Sequence, residues 1–223
     1  MARKIVIFGT SAFGQIAYEY FTQDTDYSVV AFTINKEFID KSELFGLPVI
    51  AFEEIEKHFP PKEFEMNIAL VYNNLNRIRR KTYLEAKTKG YKLANYISSK
   101  ACVWKNVELG DNNFIFENNV IQPFVKIGSN NIFWSGNHIG HHSIIKDHNF
   151  ISSHVVVSGY CNIGNSCFFG VNSTLANNLT IGDDTFIGAG SLVVKNIPEG
   201  SLIKGNPSII DTLSTYEKFG IEK

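Results

Sequence analysis

Ile97, Val103, Leu109, Ile115, Ile121, Ile127, Phe133, Ile139, Ile145, Ile151, Val157, Ile163, Phe169, Leu175, Ile181, Ile187 and Val193 stand six residues apart, and every one is apolar. At the roughly 45% apolar content of an average chain, such an unbroken run arises by chance about once in a million frames. A period of six is neither the roughly 3.6 of a helix nor the roughly 2 of a plain strand. It is the period of a parallel β-helix, in which each hexad supplies one short strand and a turn, and three hexads close a triangular coil. The ladder residue of each hexad then fills the axis.

A second column fixes the register. Four residues after each ladder position the chain carries mostly small or Asn residues, among them Asn113, Asn119, Asn131, Asn137, Ser143, Asn149, Cys161, Cys167 and Ser173. Small side chains fit an inner corner, and Asn can pair there with backbone groups. Cys161 and Cys167 belong to this column, so they are read as packing and not as nucleophiles or metal ligands. The residue directly after the ladder position is often glycine, as at Gly110, Gly128, Gly140, Gly164, Gly170, Gly182 and Gly188. This predicts that the coil bends at these glycines.

Ahead of the ladder, Lys4-Ile5-Val6-Ile7-Phe8 reads as a strand, Gly9-Thr10-Ser11-Ala12-Phe13-Gly14 as a tight turn, and the residues around Ile16, Ala17, Tyr20 and Phe21 as a helix. Strand, Gly-containing turn and helix open a nucleotide-binding βαβ unit, because glycine lets the backbone approach a phosphate at a helix N-terminus. Ser11 replaces the middle glycine of the dinucleotide motif, and Asn35 closes the second strand, 29–34, where a dinucleotide site prefers an acid. These departures argue against NAD. They leave either a nucleotide-bearing ligand at Gly9, Ser11, Phe13, Gly14 and Asn35 or a structural α/β cap. Further strands are predicted at 48–51, 67–72 and 93–97, and helices at 53–58 and 76–89. The alternation implies a small parallel sheet. The organisation expected is a Rossmann-like βαβ domain at 1–96, a β-helix at 97–210 and a C-terminal extension at 211–223, with a short terminal strand or helix after 208.

The 223 residues carry a net charge of -1 and no block of like charges, so neither a nucleic-acid groove nor an anionic membrane surface is expected. No segment reads as a signal peptide or as a membrane span. Three unpatterned cysteines fit a reduced compartment, and a cytoplasmic location is expected.

All the histidines except His58 lie between 138 and 154: His138, His141, His142, His148 and His154. They fall in neither inner column, so they are predicted to point outward, and their clustering suggests either a metal site or acid–base chemistry. His142, His148 and His154 share one hexad position, but successive hexads lie on different faces, so the three diverge and no metal is expected. For His148 and His154 a subunit contact is the alternative.

The hexad pattern, with Ile-Gly-Asp-Asp-Thr-Phe-Ile-Gly-Ala-Gly-Ser-Leu-Val at 181–193, resembles the left-handed β-helix acyltransferases. With its Rossmann-like front, the chain is similar to bacterial sugar acyltransferases grouped with the sialic acid O-acetyltransferase and the nucleotide-sugar N-acetyltransferases of bacillosamine and perosamine synthesis. The resemblance implies a homotrimer that moves an acyl group from acetyl-CoA or another acyl-CoA to a nucleotide-linked amino sugar for surface glycan (O-antigen) synthesis. It implies His141, in Ile139-Gly140-His141, as the general base, with His142, His138 and Trp134 supporting. His142 stands where relatives carry an acid. The resemblance further implies an acyl-CoA site at Asn172, Gly188, Ala189 and Pro207; Lys204 there either meets a CoA phosphate or is a solvated surface lysine, and Gly159, one coil beyond His141, is the expected place for an oxyanion donor. An O-acetyltransferase acting on sialic acid or a polysaccharide precursor, and a non-catalytic trimeric scaffold that binds a nucleotide sugar, are the alternatives.

Overall fold

The computed structural model describes residues 3–205, 207 and 210–222. In the N-terminal domain, β1 (Arg3–Phe8) leads into α1 (Ala12–Gln23), β2 (Tyr27–Ile34), β3 (Glu43–Leu44), β4 (Leu47–Ala51), α2 (Ile55–His58), β5 (Glu65–Ile68) and α3 (Arg77–Thr88). The sheet order is β3-β4-β2-β1-β5, parallel except for the short β3–β4 hairpin, which the sequence reading did not contain. Ile5, Val6 and Ile7 are fully buried, which suits the continuous apolar run of a strand covered on both faces. The expected strand at 93–97 divides. Leu93 bridges to Met66 of β5, whereas Tyr96–Ile97 pairs with Phe114–Ile115 and starts the next domain.

That domain is a left-handed parallel β-helix of two-residue strands. Its first face stacks the strands beginning at Tyr96, Phe114, Ile132, Phe150, Phe168, Phe186 and Leu202. The second stacks those beginning at Cys102, Val120, His138, Val156, Thr174 and Leu192, and the third those beginning at Glu108, Lys126, Ile144, Asn162 and Thr180. From Ile115 to Val193 the ladder residues form one buried column, and each fully buried aliphatic side chain contributes roughly 1.5–3 kcal/mol. Amide oxygens of the Asn column accept corner N–H groups one coil on: Asn131 N–H donates to Asn113 Oδ1 at 3.0 Å, Asn149 N–H to Asn131 Oδ1 at 2.8 Å, and Cys167 N–H to Asn149 Oδ1 at 2.7 Å. Buried backbone groups outside the strands are thereby paired. Burial pushes the Cys167 thiol up to about 12, in keeping with a packing role.

The bend lies elsewhere than expected. Every sixth residue from Asn112 to Gly190, three beyond each ladder position, has positive φ. The glycines after the ladder position do not. At Gly140 a Cβ would stand 2.5 Å from the N of Gly159 in the next coil, so glycine is needed for the close stacking of coils and not for the bend. The positive-φ step is filled by Asn112, Asn118, Phe124, Asn130, His142, His148, His154, Tyr160, Ser166, Asn172, Asn178 and Asp184, with glycine at 136 and 190. His142, His148 and His154 therefore occupy three different corners.

The N-terminal domain covers the first face and both flanking corners. Phe13 and Phe21 of α1 pack against Phe114 and Phe116, and Phe150, Phe168 and Phe186 stack along the face. Tyr20 donates to Glu117, and Tyr83 donates to Asp111. Under α3, the wholly buried Arg79 donates through Nη2 to the carbonyls of His148 and Asn149, both at 2.9 Å. The chain ends with α4 (Thr215–Phe219), opened by a capping box between Ser214 and Glu217. Of the expected C-terminal elements, Ser208 and Lys223 lie outside the described residues.

His148 is not an outward residue at a subunit contact, as the sequence reading allowed. It is 7% exposed, packs edge-on against Tyr83 and shares a hydrogen bond with Asn130. Burial pushes its imidazole down to about 4. Between about pH 6.5 and 4 the unfolded chain therefore binds a proton that the folded chain refuses, and stability falls as pH falls. The expected loss over that window is roughly 2 kcal/mol, allowing for residual hydration of the ring. His148→Asn, which places at this step the residue of Asn130, is expected to flatten the acid limb of urea-derived stability by that amount. An unchanged slope would show that the ring takes up its proton in the folded protein.

Candidate functional site

Among the described residues, the N-terminal domain makes no hydrogen bond to the corner between the second and third faces, formed by residues 104–107, 122–125, 140–143 and 158–161. His141 is exposed there. The strand His138–Ile139 carries the chain to this corner, Gly140 packs against Gly159, and Gln122 Oε1 accepts the His141 N–H at 2.9 Å. The His141 ring lies over Gly159, where a Cβ would come 2.9 Å from Cε1 and 3.0 Å from Nε2. It meets Tyr160 edge-on at 5.1 Å, and its Nδ1 is 3.1 Å from Nδ1 of His142. The His142 ring is stacked between Phe124 at 4.7 Å and Tyr160 at 4.8 Å. Phe124 and Tyr160 were not expected from the sequence. The signal was present in their spacing, since 124, 142 and 160 are the same step in consecutive coils.

Other expected residues are distributed as follows. His138 lies half-buried on the second face. Trp134 does not join His141: it stacks on Phe116 at 4.5 Å and belongs to the core between domains. Gly159 leaves room for the His141 ring, but its N–H is already donated to Asn177 Oδ1 at 3.0 Å, so it is not a free oxyanion donor. Asn172, Gly188 and Ala189 lie on the corner between the first and second faces. The chain leaves the coil there through Lys204 and Pro207, and Gly205 is held against Gly188 and Ala189. Asn206 of this exit lies outside the described residues. On a single chain this group and His141 are separated by the whole second face.

In the N-terminal domain, Gly9 has a φ of +123°, and a Cβ there would stand 2.7 Å from the Ala69 carbonyl oxygen. A Cβ at Gly14 would collide with the Gly9 carbonyl. Gly9 is thus demanded by its approach to the residue after β5, and Gly14 by the close crossing of β1 and α1, whatever the loop binds. Ser11 is the exposed N-cap of α1, and its side chain makes no capping bond. Phe13 points away from the loop and is buried against Phe114, Phe116 and Trp134, which corrects its expected role in ligand binding. Asn35 donates to Glu53 Oε1 at 3.3 Å, and the Lys36 N–H donates to Glu53 Oε2 at 3.0 Å. An acid therefore does stand at the end of β2, supplied by the segment after β4. The parallel neighbours β2 and β4 end at the same edge, where open α/β sheets bind ligands. Among the described residues, no three His, Cys, Asp or Glu side chains gather in a way that could hold a metal ion.

The family profile described as bacterial transferase hexapeptide (six repeats) matches residues 106–141 and 160–195. The chain carries the bacterial transferase hexapeptide repeat. The first matched segment ends on His141, and the second begins at Tyr160. No curated protein matches the sequence. Among solved structures, the hexapeptide-repeat chain is similar to the acetyltransferase domain of PglB from Neisseria gonorrhoeae, with a TM-score of 0.81 and 24% identity over 92% of this chain and 98% of that one. It is similar to a histidine variant of perosamine N-acetyltransferase from Caulobacter crescentus, solved with CoA and GDP-perosamine, with a TM-score of 0.79 and 23% identity over 91% and 93% of the two chains. WeeI from Acinetobacter baumannii matches with a TM-score of 0.70 and 20% identity over 92% and 98%. At these identities the likeness is one of fold.

Proposed function

We propose that the chain is an acyl-CoA-dependent acyltransferase that moves an acetyl or longer acyl group onto the amine of a nucleotide-linked amino sugar, with His141 as general base. The observation that carries this reading is the exposed His141 ring, fixed over Gly159 on a hexapeptide-repeat scaffold. The neighbour from Caulobacter, solved with CoA and GDP-perosamine, supports the choice of substrates. The amine nitrogen attacks the thioester carbonyl, its proton passes to His141 Nε2, the C–S bond breaks, and the proton is returned to the departing thiolate. Imidazole suits this exchange because it takes and gives a proton near neutral pH. No acyl-enzyme is needed, since holding both substrates side by side supplies much of the acceleration.

The same reading includes a homotrimer. Apart from Gly159, the residues assigned to acyl-CoA lie one corner away from His141, so a second copy would bring them to it. Trp104, Phe124, Tyr160, Leu192 and Val194 are exposed on the uncovered corner and second face, as an apolar subunit contact requires. Gly9, Ser11 and Gly14, with Asn35 and Glu53 at the strand ends, would hold the nucleotide. Acetyl-CoA as cosubstrate and an acylated nucleotide sugar, a precursor of bacterial surface glycan, as product fit a reaction in the cytoplasm.

The test is thiol release from acetyl-CoA with a panel of dTDP-, UDP- and GDP-linked 4-amino sugars, alongside sialic acid and hydroxyl analogues. Release that depends on the amine supports N-acylation. Release only with hydroxyl acceptors would make the chain an O-acetyltransferase, and nucleotide-sugar binding without release would favour a scaffold. Gly159→Ala gives a sharper check, because its Cβ would displace the His141 ring without touching the axial column. Displacement of a base by about an ångström costs on the order of 100-fold, so kcat is expected to fall about that much with the melting temperature nearly unchanged.

A further inference from the structure

The contact between His141 and His142 carries an inference that rests on the proposed general base and deepens it. Two ring nitrogens 3.1 Å apart form a hydrogen bond only when one carries the proton and the other offers a lone pair. If His142 were the donor, the neutral His141 would hold its proton on Nε2 and could not accept another there. If His141 donates through Nδ1, its Nε2 is left with a lone pair facing away from the pair. Among the described residues no carboxylate is hydrogen-bonded to either ring. The titratable side chains packed on His141 are His142 and Tyr160.

We propose that His142 is the positioning residue of the site: clamped between Phe124 and Tyr160, it accepts the Nδ1–H of His141 and holds that ring in the tautomer whose Nε2 takes the proton of the acceptor amine. The clamp comes from the coil itself. Phe124, His142 and Tyr160 are corner residues of consecutive coils, with φ of 64°, 59° and 59°. Their rings stack with interplanar angles of 28° and 17°, so the His142 plane is set by two neighbours before any substrate arrives. A neutral ring does here what a carboxylate does in other base–orienter pairs. The chemical consequence differs, however. A carboxylate stabilises the imidazolium formed during catalysis by charge, whereas a neutral His142 supplies a hydrogen bond without that charge.

The fold supplies variants that test this without disturbing the coil. Phe124 shows that phenylalanine fits the corner step, and Asp184 shows that aspartate does. His142→Phe keeps the stack and removes the accepting nitrogen. It is expected to lower kcat about 10–100-fold, with KM for both substrates within about threefold of the parent. His142→Asp restores an acceptor. It is expected to recover kcat and to move the acid limb of the kcat/KM profile to higher pH. Long-range proton–nitrogen correlation spectra of the ring-labelled protein at neutral pH are expected to show His141 protonated on Nδ1 and bare on Nε2, and to lose that preference in His142→Phe. Full kcat in His142→Phe, or a His141 ring protonated on Nε2 in the parent, would overturn the proposal. The spectra need no substrate. If the tautomer is found and no sugar is acylated, the pair stands and the proposed function fails. If the parent acylates a sugar and His142→Phe matches it, the function stands and the pair fails.

Discussion

His141→Asn is expected to lower kcat for acyl transfer by about 100- to 10,000-fold, the usual contribution of a positioned general base. Asparagine keeps a polar side chain of similar reach, and it leaves Gly140, Gly159 and the Gln122 contact to the His141 N–H untouched. The loss should therefore fall on kcat. KM for acetyl-CoA should stay within a few-fold, because the residues assigned to CoA are left unchanged. Steady-state thiol release over a range of both substrates separates these effects. A variant that retained full turnover would remove His141 from the mechanism. One that lost only affinity would make His141 a binding group.

Arg79→Ala is expected to destabilise the protein by about 3–5 kcal/mol. The guanidinium is wholly buried between α3 and the β-helix, and desolvation alone pulls its proton affinity down to about 9. Its Nη2 is the donor for two main-chain carbonyls, those of His148 and Asn149. Truncation empties the space and leaves the His148 carbonyl without its donor, while the Asn149 carbonyl keeps only the Ile132 N–H. Arg79→Met fills much of the volume and also removes the burden of a buried charge, so it should cost clearly less than Ala. Urea denaturation with a common m-value measures both. If Ala cost less than about 1 kcal/mol, water would have to reach that seam, and the guanidinium would not be what ties α3 to the coils.

The interior of the β-helix was legible because its chemistry is periodic. The ladder residues share one axial environment, so each hexad repeats the same apolar choice, from Ile115 to Val193. The bend was misplaced because glycine has two uses. At Gly140 it permits contact between coils, while the left-handed corner is mostly Asn, His, Asp and Gly, a mixed signature broken by Phe124, Tyr160 and Ser166. The docking of the N-terminal domain was written at a longer period that the hexad reading passed over. Tyr96, Phe114, Ile132, Phe150, Phe168 and Phe186 are all apolar on the outward side of every third strand, where a free-standing prism would show polar residues. The site was legible in part. The Ile139-Gly140-His141 step placed the base, but Trp134 and Phe13 were misread, because an aromatic residue beside a motif can belong to the core between domains. Glu53 was missed because it reaches the end of β2 from another strand.

The left-handed corner step has a consequence for how such a site can change. The coil asks of this step only a backbone shape, and His142 and Asp184 meet that demand equally, with φ of 59° and 58°. At the corner that the N-terminal domain leaves uncovered, the step works as a socket, tied to the interior through its main chain. Acidic, aromatic, amide and imidazole groups can be exchanged there with little repacking of the interior. A partner for the base can thus be replaced by a single substitution, and chemistry can drift at the rim of the prism while its axis stays fixed.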